Sequence, residues 1–292
     1  MNSKNKGIIC ILISAFSFSI MNLCVKLAGD LPPIEKSFFR NIVAAVISFI
    51  LLYRSKTGFS FKKENLPFFI LRATLGTLGI FCNFYALSNM VLSDASMLNK
   101  LSPFFTLIFS YLFLKEKLSP FQCISIVIAF IGSLFIIKPS FDLTATFPAL
   151  CGLIGGICAG AAYTCVRYLG VKGEKGPFIV FFFSTFSCLA ALPYLIFFFE
   201  PMTIKQLLIL LCAGLGAAGG QFGITAAYKY APAREISIYD YTLVIFAAIW
   251  SAVFFGELPD WISIIGYILI FAMSALMFVY NNRHAEARKG TD

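Results

Sequence analysis

SDASMLNKLSPFFTLIFSYLFLKE, residues 93–116, is about one bilayer crossing long and carries a polar line through an apolar body. Ser96, Asn99, Ser102, Pro103, Thr106 and Ser110 recur at helical spacing and share one face, while Phe104, Phe105, Leu107 and Ile108 fill much of the rest. Polar groups at membrane depth are costly unless water or another polar helix meets them, so this face is expected to line an interior. At an offset of 141 residues, REISIYDYTLVIFAAIWSAVFFGE (234–257) overlies the stretch without a gap. Ser96 falls on Ser237, Asn99 on Asp240, Phe105 on Phe246, Ser110 on Ser251 and Glu116 on Glu257. The same offset lays NLCVKLAG (22–29) on YTCVRYLG (163–170), pairs Lys26 with Arg167, and pairs Gly79 with Gly220. The chain reads as a duplication: a first copy over 1–141, a second over 142–282, and a polar tail over 283–292.

Composition sets the solvent. A chain of 292 residues that is 59% hydrophobic and 13% charged, with 34 Phe and a mean hydropathy of +0.86, is too apolar for a soluble domain of this size. Runs of about 20 apolar residues predict ten spanning helices, over 7–29, 35–54, 67–88, 93–114, 119–137, 147–170, 177–199, 205–228, 234–255 and 259–280. The expected fold class is an all-α polytopic membrane protein of ten transmembrane helices. The connections are short and marked by Pro or Gly, which leaves no room for a soluble domain. The first run, 7–28, lacks a small-residue cleavage pattern and is expected to be retained as a helix.

The net charge of +9 is read loop by loop, because cytoplasmic loops of membrane proteins collect Lys and Arg. Of the 23 basic residues, 15 fall on the side that holds the N-terminus, alternate loops and the tail, against Lys36, Lys138 and Lys205 on the other. Both termini are therefore expected in the cytoplasm, and a nucleic-acid partner is not. All nine cysteines lie within hydrophobic segments with no metal-type spacing, so they read as small packing residues. Cys151, Cys158 and Cys165 share a helix face beside Gly152, Gly156 and Gly160, a small-xxx-small seam suited to close helix contact.

Five helices per copy is an odd number, so the second copy must enter the membrane upside down relative to the first. Two inverted five-helix repeats have two arrangements of nearly equal energy, one open to each side, around a site near the midplane. A transporter is expected on architecture alone.

The chain resembles the drug/metabolite transporter superfamily, and within it the ten-helix EamA-type members. The residues that carry the resemblance are Phe39-Arg40, GTLGIFCNFYAL (76–87), DASMLNKLSPFFTLIFSYLFLKEKLS (94–119), GAAGGQFGITAAYKYAPA (216–233) and AAIWSAVFFGELPD (247–260). The resemblance covers about residues 7–280. It implies a central cavity lined by helices 1, 3, 4, 6, 8 and 9, alternating access for a small metabolite, no cofactor or ATPase domain, and a bacterial plasma membrane. It does not specify a substrate.

Polar residues at membrane depth are the candidate site. Lys26 lies one turn from Asn22 on a common face, and Arg40 is five residues into helix 2. In helix 3, Arg72, Gly76, Gly79 and Asn83 share a face, which favours close helix packing beside polar anchors. In helix 8, Gln221, Thr225 and Tyr228 lie opposite a seam of Gly216, Gly219, Gly220 and Gly223. Asp240 lies about 9 Å in from the end of its helix, counting six residues at about 1.5 Å each. The expected substrate-binding set is Asn22, Lys26, Arg40, Asn83, Tyr85, Asn99, Lys100, Ser102, Tyr163, Gln221, Thr225, Tyr239, Asp240 and Trp250. Arg167 and Asp240 are expected to form a cytoplasmic gate.

In the outer half, Lys26, Arg40 and Lys100 face only Asp94 as an obvious counter-charge. That imbalance favours an anionic or zwitterionic solute, such as an amino acid, carboxylate or nucleoside-type molecule. A channel or receptor scaffold is the alternative. An embedded enzyme is disfavoured, since the single His284 lies in the tail and no paired-aspartate, HExxH or GxSxG motif occurs. The expected partners are a small-molecule substrate and the lipid bilayer, and the expected assembly is a monomer or homodimer.

Overall fold

The computed structural model describes residues 3–54, 59–114, 118–138, 143–230 and 237–289, and every regular element among them is helical. In chain order these are α1 (Ser3–Leu27), α2 (Pro33–Arg54), α3 (Leu66–Asn89), α4 (Leu92–Asn99), α5 (Ser102–Leu114), α6 (Pro120–Ile137), α7 (Leu143–Val171), α8 (Gly176–Phe198), α9 (Ile204–Tyr230), α10 (Thr242–Trp250) and α11 (Trp261–Lys289). Eight of them, all but α4, α5 and α10, are long and apolar enough to cross a membrane. Their outward faces are apolar, with side chains such as Ile196, Phe197, Val253 and Trp261 largely exposed. A surface of that kind is stable only against hydrocarbon, and the protein is a multi-pass membrane protein.

The first of the two expected spans that carry the duplicated polar line is not a continuous helix. Residues 93–114 form α4 and α5 with a break at Lys100 and Leu101. Pro103 has no N–H to offer the carbonyl one turn back, and the residue before a proline is pushed away from helical geometry. The chain bridges the gap with tight bonds from Leu101 N to Leu98 O (3.2 Å) and from Phe104 N to Leu101 O (2.9 Å). The second copy changes helix type without a gap: a 3₁₀ turn over Ser237–Tyr241 leads into α10, which ends in a π-turn over Ser251–Phe255. Gly256 closes that turn at φ 65°, a left-handed conformation that costs glycine little.

Hydrogen bonds and ring contacts define the two ends of the bundle. At one, which holds both chain ends, Lys6 Nζ sits 5.9 Å over the Tyr230 ring, Lys62 N donates to Glu174 Oε1 (3.0 Å), and Gln122 Nε2 donates to Asn281 Oδ1 (3.2 Å). At the distal end, Lys36 Nζ donates to Gly29 O and Ser88 Oγ (both 2.6 Å), and Gln206 Nε2 donates to Ala28 O (3.1 Å). There too Lys138 Nζ lies 2.6 Å from Asp260 Oδ2. The ammonium, aided by Ser263 N–H, holds the Asp260 carboxyl down at about 2. A depressed carboxyl contributes stability above its unfolded value near 3.9 and loses it as pH falls through the folded one, so this tie persists across physiological pH.

Helices of the two copies pack on each other in reciprocal pairs. α1 lies on α9 and α3 on α7, while α2 lies on α8 and α6 on α11. Moving each partner by 141 residues exchanges the first two pairs and maps each of the others onto itself. Small residues make the close approaches. Ser14 Oγ donates to Gly220 O at 2.7 Å, and at the corresponding positions a Cβ on Gly155 would stand 3.2 Å from Gly79 O. The Gly152, Gly156 and Gly160 seam faces Leu98, Ser102 and Phe105, so it is the broken helix α4–α5 that docks on α7. Cys151, Cys158 and Cys165 are buried within α7, and all nine cysteines are free thiols.

A Cβ at Gly160 would lie 2.6 Å from Phe105 Cβ and 2.8 Å from Ser102 O, whereas one at Gly170 would meet nothing within 4 Å. Gly160→Ala is expected to destabilise by about 1–3 kcal/mol through overpacking. Gly170→Ala is expected to leave stability unchanged or raise it by up to about 1 kcal/mol. Thermal unfolding of the two variants in one detergent measures the difference.

Candidate functional site

Between the copies lies a cavity of about 120 Å³ walled by both of them. α1 contributes Phe18, Met21 and Asn22; α2 contributes Arg40; α3 contributes Arg72, Gly76, Gly79 and Asn83; and the α4 end contributes Ser96, Asn99 and Lys100. From the second copy come Ala159, Ala162 and Tyr163 of α7, Phe183 of α8, Gln221 and Ile224 of α9, and Asp240 and Leu243 at the start of the span that carries α10. Its volume is below the roughly 300–1,000 Å³ of pockets for drug-sized ligands. It fits a small solute, or one end of a longer one.

The break between α4 and α5 meets the turn that leads into α10 at the cavity wall. Lys100 Nζ bonds Asp240 Oδ2, a largely buried ion pair between the copies, and Tyr241 OH donates to the Lys100 carbonyl at 3.0 Å. Lys100 and Tyr241 are 141 residues apart, so corresponding residues touch here. The other Asp240 oxygen, Oδ1, is buried with no hydrogen-bond partner. So are Asn22 Oδ1, Asn83 Oδ1, Arg40 Nε and Arg72 Nε, all on residues of the cavity wall. Buried polar atoms are ordinarily paired, and a cluster of unpaired ones around one space marks a site that receives polar groups from outside.

Of the expected binding residues, Asn22, Arg40, Asn83, Asn99, Lys100, Tyr163, Gln221 and Asp240 come together on this wall. Five lie elsewhere. Lys26 points to the distal end, bonding Glu257 Oε2 and Met90 O (3.0 Å). Tyr85 packs edge-on against Phe147, and Ser102 is buried under Thr106, whose hydroxyl bonds its carbonyl at 2.8 Å. Tyr239 joins the apolar cluster around Ile11 and Ala227. Trp250 Nε1 donates to Ser19 Oγ at 3.0 Å, between α10 and α1. Thr225 lies in α9, and its side chain falls outside the described residues, as does that of Tyr228. Of the expected Arg167–Asp240 gate, Asp240 pairs with Lys100, and Arg167 is exposed on the last turns of α7.

The charge imbalance also moves. Lys26 and Lys100 both have carboxylate partners, and Asp94 accepts from Tyr267 OH at 2.5 Å. Among the described residues, the cavity cations without an acidic partner are Arg40 and Arg72. Arg72 was not among the expected binding residues. Its signal was present in the Arg72, Gly76, Gly79, Asn83 face, where glycine reads as helix packing; Gly79 does pack on α7, while Gly76 makes room for the arginine.

Comparison with known proteins agrees with this arrangement. The model of the EamA-like transporter family matches twice, over residues 5–138 and 146–279, two ranges offset by 141. The pseudopaline exporter CntI of Pseudomonas aeruginosa is 31% identical over 266 residues, covering 90% of this chain and 93% of the relative. Human solute carrier family 35 member G1 is 30% identical over 280 residues, covering 91% of this chain and 77% of the relative. A solved crystal structure superposes with a TM-score of 0.66 over 96% of this chain and 98% of its own, at 14% identity, which speaks to the fold alone.

Asp240→Ala is expected to cost about 3 kcal/mol, because it strands the Lys100 ammonium in a buried wall. Adding Lys100→Met is expected to return most of that loss. Thermal unfolding of the single and double variants reads the coupling directly.

Proposed function

Since this chain belongs to the EamA-like transporter family, we propose that it is a secondary carrier for a small polar or amphipathic solute, anionic or zwitterionic, working by alternating access. The two copies sit oppositely in the plasma membrane, with both termini in the cytoplasm, and rock about the cavity between them. The observation that carries this reading is the wall itself: it is drawn from both copies, and its charged groups are three cations and one carboxylate. Such a cavity attracts negative groups while keeping one acceptor, Asp240, for a substrate donor.

At the distal end the two copies are tied to each other in this arrangement. The Lys26–Glu257 pair ties the end of α1 to the residues just after the π-turn, and Trp250 on Ser19 lies beneath it. For the cavity to reach that side, these contacts between the copies must part. The exporter name of the Pseudomonas relative supports outward movement, from the side of the termini to the distal side.

The test is counterflow in proteoliposomes loaded with unlabelled glutamate, malate, lysine or choline in turn. A carrier gives saturable uptake of the labelled solute that is accelerated by the same solute inside, with the acids favoured. Uptake that stays linear with concentration and is not accelerated from the far side identifies a channel and contradicts the carrier. Glu257→Gln, which weakens the distal tie, is expected to change the exchange rate at least twofold without abolishing it.

A further inference from the structure

We infer that Arg40 and Arg72 form the docking point for an oxyanion of the substrate, and that α8 positions both. The inference deepens the carrier reading and rests on it for the word substrate. Both side chains line the cavity and are almost wholly buried, at 4% and 7% exposure. Each leaves its Nε hydrogen without an acceptor. The two guanidinium groups share one wall, and among the described residues no carboxylate answers either. Two like charges held together out of water are unstable unless something brings a negative charge to them.

The surroundings aim the pair. Arg40 Nη1 bonds Asn41 Oδ1, and Asn41 Nδ2 donates in turn to Ser187 Oγ of α8 at 2.7 Å. One helical turn earlier on α8, the Phe183 ring carries the Arg72 guanidinium, with Cζ 4.1 Å from the ring centroid. Gly76 completes the cradle: a Cβ there would overlap Arg72 Nη1 and stand 2.7 Å from Phe183 Cε2. Glycine at 76 is thus what permits the guanidinium to lie along α3 and stack on α8. Tyr163 of α7 lines the same wall. A planar fork suits the paired oxygens of a carboxylate and also grips a phosphate, so the shared chemistry is an oxyanion.

The experiment titrates the purified full-length protein in detergent with glutamate, malate, inorganic phosphate and choline, by calorimetry and by melting temperature. The wild type is expected to bind at least one of the three anions and be stabilised by it, and to ignore choline. Arg72→Gln is expected to weaken that binding by about tenfold to a hundredfold, the range of a charge-assisted bond. Its own melting temperature is expected to hold or rise, since a buried unpaired charge is gone; a merely structural arginine would lower it. Gly76→Ala keeps every charge and displaces Arg72, and is expected to lose about tenfold, which covers the case in which Arg72→Gln fails to fold. Preference for phosphate over the carboxylates, or the reverse, identifies the oxyanion and supports the site either way. Binding of choline alone, failure of all three anions to bind the wild type, or anion binding unchanged in Arg72→Gln and Gly76→Ala overturns it. Arginine-dependent binding without counterflow retires the carrier and leaves the docking point, whereas counterflow of a cation indifferent to these variants does the opposite.

Discussion

A largely buried ammonium–carboxylate pair, with the lysine at the break between α4 and α5 and the aspartate in the turn that leads into α10, holds the two copies together at the centre of this protein. The Lys100–Asp240 pair and the Tyr241 bond to the Lys100 carbonyl join that break to the turn before α10. Broken backbone is tolerated at membrane depth only where protein or water satisfies the freed groups. The break thus requires a polar interior, and the cavity provides it.

Around that centre the packing is mostly featureless to a substrate. α1 on α9 and α3 on α7 meet through glycine, serine and cysteine, with backbone against backbone, and specificity there is steric. The wall between these pairs is different in kind. It carries polar atoms that the protein itself leaves unpaired, and it holds arginines where hydrophobic residues would be more stable. Stability given up at a defined place is the mark of a site that works on something it does not contain.

The duplication was plain from residues alone, because an ungapped match of 141 residues' offset needs no knowledge of contacts, and the two family matches repeat it. Eight long helices followed from apolar length. The break at Lys100 did not, since a hydropathy run does not register where a backbone bond is missing; Pro103 was the visible clue. Eight residues of the cavity wall were legible as polar groups at membrane depth. Lys26 and Trp250 looked equivalent to them, yet their partners, Glu257 and Ser19, lie 231 residues away in each case, and spacing along one helix carries no information about such contacts. Arg72 was obscured because glycine spacing has two meanings, close packing and room for a neighbour's side chain, and α3 uses both.

The central claim is that two copies move against each other about a shared cavity, opening one end as the other closes. Paired spin labels measure this most directly, with one pair at positions 30 and 258 across the distal end and another at 63 and 172 across the end that holds the termini. On adding a transported solute in liposomes, the account predicts two distance populations at each end that shift in opposite senses, longer at one as the other shortens. A single unchanged distance at both ends, or both ends lengthening together, would contradict it.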